Sequence, residues 1–399
     1  MTLQAYPRAD GRKGIRNVLA VAYLVECAHH VSREITLPFR DAGAHLIGFP
    51  GCFPNSYSLR MMERLCTHPN VGAVLLVSLG CEGFDKWRLR DTIAASGRPV
   101  EVLVIQDRGG TRSSVAEGRA WVARTLAQLQ QAPRVPMGVD ELVVGTICGG
   151  SDATSGLTAN PAMGRAFDFL VEQKATCIFE ETGELIGMEH WMAARAQHPA
   201  LGEEIVRTVA KAAKHYAAYG HASIGPGNAD GGLTTIEEKS LGAYAKSGQS
   251  VISGIIKPGD TPVSGGLYLL DVVPDGEPMF GFANISDNAE IAELMACGSH
   301  LVLFSTGRGS VVGSALAPVI KVCANPDTYR RLRDDMDVDA GRILEGRATL
   351  DEVGREIHDL VLRVANGEQT RSEALGHQEF ILTYKTFEPV GPACFPSAA

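Results

Sequence analysis

Four cysteines stand where short apolar segments of the sequence end. Cys27, Cys52, Cys81 and Cys148 each close a run rich in valine, leucine, isoleucine and alanine, and a glycine adjoins three of them. Thiolates gathered at one edge of a sheet can bind iron, manganese or zinc. Their spacing is not that of a CxxC motif, and free cysteines are often buried as small apolar residues. Both interpretations therefore stay open.

A group of acidic residues and a histidine follows a later apolar run. The segment FEETGELIGMEH holds Glu181, Glu184 and His190. Carboxylates and an imidazole at the end of a strand can bind a divalent cation or act as a general base. A solvated charged turn would have the same composition, so this segment alone does not decide between the two.

Two glycine-rich stretches offer groups that bind anions. SIGPGNADGGLTTIEEKSLG contains Asn228 and Lys239, and its glycines let the backbone approach a ligand, although a flexible loop followed by a helix cap would look alike. STGRGS places Arg308 after a strand, where a guanidinium can hold a carboxylate with two hydrogen bonds. GRG matches neither the Walker pattern nor GxGxxG, so it does not indicate a nucleotide site.

The elements that carry these residues alternate between apolar strands and amphipathic helices. This order predicts an α/β fold of two doubly wound Rossmann-like units with mainly parallel sheets. The second half repeats the pattern of the first, with Cys148 where Cys27 stands, which indicates an internal duplication. Because ligands bind beyond the carboxyl ends of parallel strands, we expect the strand-end residues to form the site.

The domain boundaries follow from the loss of periodicity between the two halves. Residues 131–141 contain two prolines and no regular apolar spacing, so they are interpreted as a linker. The predicted domains are an N-terminal α/β domain, residues 1–130, and a C-terminal α/β domain, residues 142–399.

Composition limits the classes of partner. The 399 residues carry a net charge of −9, so neither nucleic acid nor a membrane surface is expected to bind. No apolar N-terminal signal is present, and nine scattered cysteines suit a reducing compartment better than a disulfide framework. We expect a cytoplasmic homo-oligomer.

Six stretches in fixed order carry a family resemblance. They are RADGRKGIRN, HPNVGAVLLVSLGCE, CGGSDATSGLTANPAMG, ETGELIGMEH, GNADGGLTTIEEKSLGA and FSTGRGS. From Arg8 to about Phe380 the chain resembles the altronate/galactarate dehydratase family. The resemblance implies a hydro-lyase, dependent on Fe²⁺ or tolerant of Mn²⁺, that converts a 2,3-dihydroxy sugar acid into its 2-keto-3-deoxy acid.

The resemblance also suggests roles for individual residues. We assign the metal to Cys52, Cys81 and Cys148, with Glu181 and His190 completing its ligands. His190 is the first choice of base, Lys239 the second if burial lowers its pKa, and Glu184 a further catalytic group. Arg308, Lys321 and Arg16 are expected to clamp a substrate carboxylate. The full set of substrate-binding candidates is Arg16, Asn17, Ser151, Asp152, Asn160, Asn228, Arg308 and Lys321.

Three departures from the family pattern bear on the substrate. Gly48 and Phe49 stand where a histidine usually precedes the second cysteine, Gly313 and Ser314 replace a GC pair, and the core motif already begins at Arg8. The small N-terminal domain is thus expected to be absent, as in the large subunit of sulfolactate sulfo-lyase. The alternative is therefore a sulfo-lyase, or another β-eliminating large subunit, that needs a separate small subunit. A non-catalytic subunit and a pure binding protein are the remaining classes.

Overall fold

The computed structural model describes residues 2–218, 224–275, 286–383 and 385. The strands of the first half, in chain order, are β1 (Leu3–Pro7), β2 (Lys13–Gly14), β3 (Val18–Tyr23), β4 (Ala44–Gly48), β5 (Val71–Ser78), β6 (Val100–Val104) and β7 (Val135–Met137). Its α-helices are α1 (His29–Thr36), α2 (Ser56–Cys66), α3 (Lys86–Ala95) and α4 (Thr111–Leu129).

The first unit is built on a four-stranded parallel sheet in the order β4-β3-β5-β6. All eight residues of β5, VGAVLLVS, are buried, because a parallel strand covered by helices on both faces needs an unbroken apolar run. The predicted linker is partly regular, since β7 pairs with β1 in an antiparallel sheet and Leu3 lies opposite Met137.

The second unit contains a seven-stranded sheet in the order β10-β11-β9-β8-β12-β13-β14. Its strands are β8 (Val143–Cys148), β9 (Thr176–Phe179), β10 (Ile252–Ile256), β11 (Gly266–Leu270), β12 (Leu301–Thr306), β13 (Val319–Cys323) and β14 (Val338–Asp339). Every pairing in this sheet is parallel. The predicted α/β class with parallel sheets is confirmed.

Helices flank the strands of the second unit. They are α5 (Ala159–Glu172), α6 (Glu189–Ala193), α7 (Pro199–Ala218), α8 (Pro226–Asp230), α9 (Ile236–Ala245), α10 (Asp287–Ala296), α11 (Pro326–Arg331), α12 (Leu350–Ala365) and α13 (Arg371–Ala374). The last residues of the predicted C-terminal domain, 386–399, lie outside the described part of the chain.

The two parallel sheets share a local strand order. In the first, β3 lies between β4 and β5, and in the second, β8 lies between β9 and β12. In such sheets the chain adds strands first on one side of the first strand and then on the other. Ligands bind in the crevice at the carboxyl end of that first strand. Cys27 follows β3 and Cys148 ends β8, so the two thiols occupy corresponding places.

The two units pack through α2 and α10. The Tyr57 hydroxyl donates to Glu293 Oε1 at 2.6 Å, and His68 Nε2 lies 3.1 Å from the Ser299 carbonyl oxygen. These two bonds tie the first turn of α2 to the last turn of α10, and the residues after α2 to the residues after α10. Apolar residues of both helices belong to one buried core.

Histidines buried at this junction are expected to make stability pH-dependent. His300 Nδ1 accepts from the Val143 amide at 3.0 Å, and Nε2 donates to the Lys13 carbonyl at 2.8 Å, which requires the neutral ring. Burial lowers the pKa of His300 from 6.5 to about 4. As the pH falls through this interval the unfolded chain binds a proton and the folded chain does not. The free energy of unfolding is therefore expected to fall by about 3 kcal/mol between pH 6.5 and 4.

Urea titrations at several pH values measure this effect. His300→Gln is the matched control, because its amide can donate and accept without titrating, so its stability should decline less steeply over the same range. Equal slopes for the two proteins would contradict the assignment to His300.

Among the described residues, no helix combines the length and the apolar character that crossing a bilayer requires.

Candidate functional site

A thiol and two carboxylates converge at the carboxyl end of β8. Cys148 Sγ lies 3.0 Å from Glu181 Oε1 and 3.4 Å from Glu184 Oε2, and all three side chains are buried. Within the described residues, no other group of three or more cysteine, histidine or acidic side chains has all its ligand atoms within 4.8 Å of one another. We call Cys148, Glu181 and Glu184 the Cys148 group.

The backbone after β9 is shaped to bring Glu181 to this place. Glu181 has a φ of 77°, in the left-handed region that residues other than glycine rarely adopt. Its Oε1 also accepts from the Cys148 amide at 3.1 Å, which ties the end of β9 to the end of β8. Strain of this kind, of order 1–3 kcal/mol, persists where surrounding contacts enforce it and is concentrated at functional sites.

Two buried lysines face the two carboxylates. Lys239 Nζ lies 2.5 Å from Glu184 Oε1, and Lys246 forms an ion pair with Glu181. They are seven residues apart, about two helical turns, so α9 and the residue after it present both ammonium groups on one side. The sequence analysis found Lys239 but missed Lys246. The available signal was a lysine at helical spacing from Lys239.

Charges in the group set its protonation. Burial, reinforced by Glu184, raises the pKa of the Cys148 thiol. Burial would lower the pKa of Lys239, but the neighbouring Glu184 and Cys148 outweigh it and raise that pKa above its ordinary value. The condition under which Lys239 was expected to be a base is thus not met, and at neutral pH it is an ammonium ion.

Asp287 is a further acidic group beside the site that the sequence analysis did not single out. A methyl group added at Gly149 would lie 2.1 Å from Asp287 Oδ2, so this carboxylate packs against the residue that follows Cys148. Burial, followed by repulsion from Glu184, raises the pKa of Asp287 to about 6. A carboxyl group with a pKa near neutrality suits proton transfer.

Four predicted substrate-binding residues surround the group, and three of them hold the protein's own loops. Ser151 Oγ donates to Cys148 Sγ at 3.2 Å. Asn228 Nδ2 donates to the Ser151 carbonyl at 2.9 Å, and Asp152 accepts from the amide and hydroxyl of Thr154. Asn160 accepts from the Ser305 hydroxyl and also donates to a backbone carbonyl of α9.

Arg308 lines a neighbouring cavity of about 390 Å³. Its side chain bonds the Gly227 carbonyl and lies 3.9 Å from Asp230 Oδ2. The amides of the GRG loop are already engaged, since Arg308 N donates to the Gly150 carbonyl. The side chains that line the cavity are Asp152, Asp230, Arg308, Asn325, Thr328 and Arg331.

The space inside the site itself is small. The pocket bounded by Cys148, Ser151, Glu184 and Lys239 has room for about 10 Å³, close to the minimum that holds one water molecule. Leu233 and Gly242 form part of its wall. A molecule of several carbon atoms does not fit in this volume, and the pocket shares Asp152 with the Arg308 cavity.

Three other predicted substrate ligands make internal contacts instead. Arg16 holds both carboxylate oxygens of Glu373, at 2.7 and 2.9 Å. Asn17 accepts from Arg8 and donates to the Leu129 carbonyl. The fully buried Lys321 donates to the Val312 carbonyl and to a serine hydroxyl. These contacts occupy the donors that were expected to clamp a substrate.

The remaining predicted ligands lie outside the Cys148 group. His190 is exposed on α6 and is not part of the pocket wall. Cys52 and Cys81 are exposed in the first unit. Among the described residues neither thiol belongs to a group of three ligand atoms that all lie within 4.8 Å of one another.

Comparison with known proteins decides the family. The model described as "D-galactarate/Altronate dehydratase, C-terminal" matches residues 139–387, and "D-galactarate dehydratase/Altronate hydrolase, second domain" matches residues 5–130. This chain belongs to the galactarate/altronate dehydratase family. The resemblance found in the sequence is confirmed, and so is the prediction of an enzyme from a hydro-lyase family.

Several curated proteins are similar to this member of the galactarate/altronate dehydratase family over nearly its whole chain. The (2R)-sulfolactate sulfo-lyase subunit beta of Chromohalobacter salexigens is 35% identical, over 96% of this chain and 97% of that protein. The altronate dehydratase of Escherichia coli is 30% identical, over 95% of this chain and 77% of that enzyme. The galactarate dehydratase (L-threo-forming) of Escherichia coli is 32% identical, over 92% of this chain and 73% of that enzyme.

Proposed function

We propose that this chain catalyses β-elimination from a 2-hydroxy carboxylate, with a sugar acid as substrate and water as the group lost. The C2 proton leaves to a base, the bond from C3 to its hydroxyl breaks with its electron pair, and that hydroxyl is protonated. The enol that forms becomes the 2-keto-3-deoxy acid. The observation that supports this proposal is the buried thiol, carboxylates and ammonium groups at the carboxyl end of β8.

The donor set suits a borderline divalent cation. One thiol and two carboxylates offer sulfur and oxygen ligands of the kind that Fe²⁺ or Mn²⁺ accepts, so Cys148, Glu181 and Glu184 would hold the metal. When bound, the metal would act as a Lewis acid toward the substrate carboxylate and 2-hydroxyl. With Cys148 as thiolate and both lysines charged, the loaded group carries one positive charge, which a substrate carboxylate would neutralise.

Different side chains around the Cys148 group carry out the two proton transfers. Asp287, beside Gly149, is the base candidate for the C2 proton, because its carboxyl is poised near neutrality. Lys239 is held as an ammonium ion, so it stabilises negative charge on the enolate and supplies a proton to the departing hydroxyl. Lys246 balances the charge of Glu181 and keeps that carboxylate in position.

Sulfite is the second candidate for the leaving group. The sulfo-lyase subunit shares 35% identity with this chain and is matched over 97% of its length, whereas the altronate dehydratase is matched over 77%. The same proton removal at C2 would then be followed by cleavage of a carbon–sulfur bond at C3. The name "subunit beta" points to a separate partner chain, so both activities are best assayed with and without a small subunit.

A substrate panel tests the proposal. The protein loaded anaerobically with Fe²⁺ or Mn²⁺ is expected to release a 2-keto acid from at least one aldonate, aldarate or sulfolactate, with water or sulfite as co-product. Production of keto acid and sulfite in equal amounts would select the sulfo-lyase alternative. No 2-keto acid from any of these acids, with the small subunit supplied, would contradict β-elimination.

Arg308→Lys is expected to weaken substrate binding. Lysine keeps the charge but loses the planar fork, so we expect KM to rise by roughly tenfold with kcat changed less than about twofold. Steady-state kinetics on the active substrate measures both values. Arg64→Lys, on an exposed position of α2, is the matched control and should change neither. A lower kcat at unchanged KM would place Arg308 in the chemical step rather than in binding.

A further inference from the structure

Three thiols are exposed at one edge of the first unit. Cys27, Cys52 and Cys81 follow β3, β4 and β5, which are neighbours in the sheet. All three are exposed, whereas the other described cysteines are buried: Cys66, Cys148, Cys177, Cys297 and Cys323. Cysteine is among the most frequently buried residues. Three exposed thiols on adjacent strand ends are therefore not explained by core packing.

The loops that carry these thiols are bonded to one another. The Glu26 amide donates to the Pro50 carbonyl at 3.1 Å, which joins the loop of Cys27 to that of Cys52. The Gly83 amide donates to the Cys52 carbonyl at 2.8 Å, which joins the loop of Cys52 to that of Cys81. Each thiol thus lies within two residues of a bond between loops, so the three loops that carry the thiols are held to one another.

The turn before Cys81 is separately braced. The Glu82 carboxylate accepts from the Gly80 amide at 2.9 Å and from the Ser78 hydroxyl at the end of β5. Gly80 has a φ of 128°, a conformation that favours glycine. The side chain after Cys81 is therefore folded back onto its own strand, while the thiol itself stays exposed.

The corresponding edge of the second unit is the proposed catalytic site. There the three neighbouring strands β9, β8 and β12 are followed or ended by Glu181, Cys148 and Arg308. In the first unit a thiol follows each of the corresponding strands β4, β3 and β5. The first unit thus has sulfur ligands at the place where this strand order forms a binding crevice.

We propose that Cys27, Cys52 and Cys81 bind an iron–sulfur cluster through their three thiolates. Around a single zinc or iron ion, thiolate sulfurs lie about 3.8 Å apart, given a metal–sulfur distance of about 2.3 Å. Among the described residues, Cys27, Cys52 and Cys81 do not form a group whose ligand atoms all lie within 4.8 Å of one another, so the three sulfurs do not close around one ion. This spacing suits a cluster in which each thiolate binds a different iron. Three protein thiolates leave one iron of a four-iron cluster open to another ligand.

Anaerobic reconstitution tests this proposal with the full chain. Treatment with Fe²⁺ and sulfide is expected to give protein-bound iron and acid-labile sulfide together, with the visible absorption of thiolate bound to iron. Cys27→Ser, Cys52→Ser and Cys81→Ser should each lower cluster retention by at least about tenfold after desalting. Cys148→Ser is the matched control and should keep the cluster, because its thiol is buried in the second unit.

Alkylation of the wild-type protein gives a second measurement that needs no variant to fold. Iodoacetamide should label Cys27, Cys52 and Cys81 before reconstitution and spare all three afterwards, as read by peptide mass spectrometry. No acid-labile sulfide in the reconstituted wild-type protein, sulfide and iron retained together by the triple serine variant, or unchanged labelling after reconstitution would each overturn the proposal. Loss of the cluster in Cys148→Ser alone would place it in the second unit and overturn it as well.

Discussion

Replacement of Lys239 by methionine is expected to lower kcat for the elimination by about a thousandfold. The Lys239 ammonium lies 2.5 Å from Glu184 and is kept charged by Glu184 and Cys148. Methionine has a similar length but no charge and no proton to give. The enolate would then form beside a neutral side chain, and the departing hydroxyl would lose its proton donor. Steady-state formation of the 2-keto acid measures the loss.

Two control variants identify the origin of this effect. Lys239→Arg keeps the charge and should recover a part of kcat, because electrostatic stabilisation survives while the donor geometry changes. Lys86→Met, on α3 of the first unit, removes a lysine away from the site and should leave kcat unchanged. A Lys239→Met variant that is folded by circular dichroism and retains more than about a tenth of wild-type kcat would contradict the assigned role.

Lys246→Met is expected to destabilise the fold by about 3–5 kcal/mol, because it leaves the buried charge of Glu181 without its partner. Lys246 is almost fully buried and forms the ion pair with Glu181. The same ammonium also faces Glu180, a buried carboxyl whose pKa is raised, first by burial and then by Glu290. Urea-induced unfolding measures the free energy lost.

A double variant separates lost charge balance from lost packing. Glu181→Gln together with Lys246→Met removes both members of the pair, so its free energy of unfolding should lie well above that of Lys246→Met alone. If the double variant is as unstable as the sum of the two single variants, the two side chains are not coupled. That outcome would refute the ion pair as the reason for the destabilisation.

Much of the fold follows from local pattern. Apolar runs such as VGAVLLVS predict buried parallel strands, and the structure places β5 within residues 71–78. A clear cap marks the start of α9, where Thr235 accepts from the Glu238 amide. The place of Cys148 was also predictable, because the end of a central parallel strand is where such sheets bind ligands.

The hydrogen-bond and ion-pair partners of individual side chains could not be predicted from the sequence. Arg16 does hold a carboxylate with two bonds, but that carboxylate belongs to Glu373, which is 357 positions away. Lys246 reaches Glu181 only because β9 and α9 are brought together by tertiary packing. A single sequence gives residue types and local spacing. It does not give which charged groups meet, since those distances are set by the packing of remote elements.

The bond from Arg16 to Glu373 also has a consequence for synthesis of the chain. A ribosome adds about 5–20 residues per second, so it adds Glu373 to the chain roughly 18–70 s after Arg16. During that interval the first unit must wait for α10, which packs on the apolar side of α2 and forms part of the same core. Nascent chains therefore lack the part of this core that α10 supplies, Ile291, Leu294 and Met295, until the second unit follows. This interval is when chaperone binding should protect the protein most from aggregation.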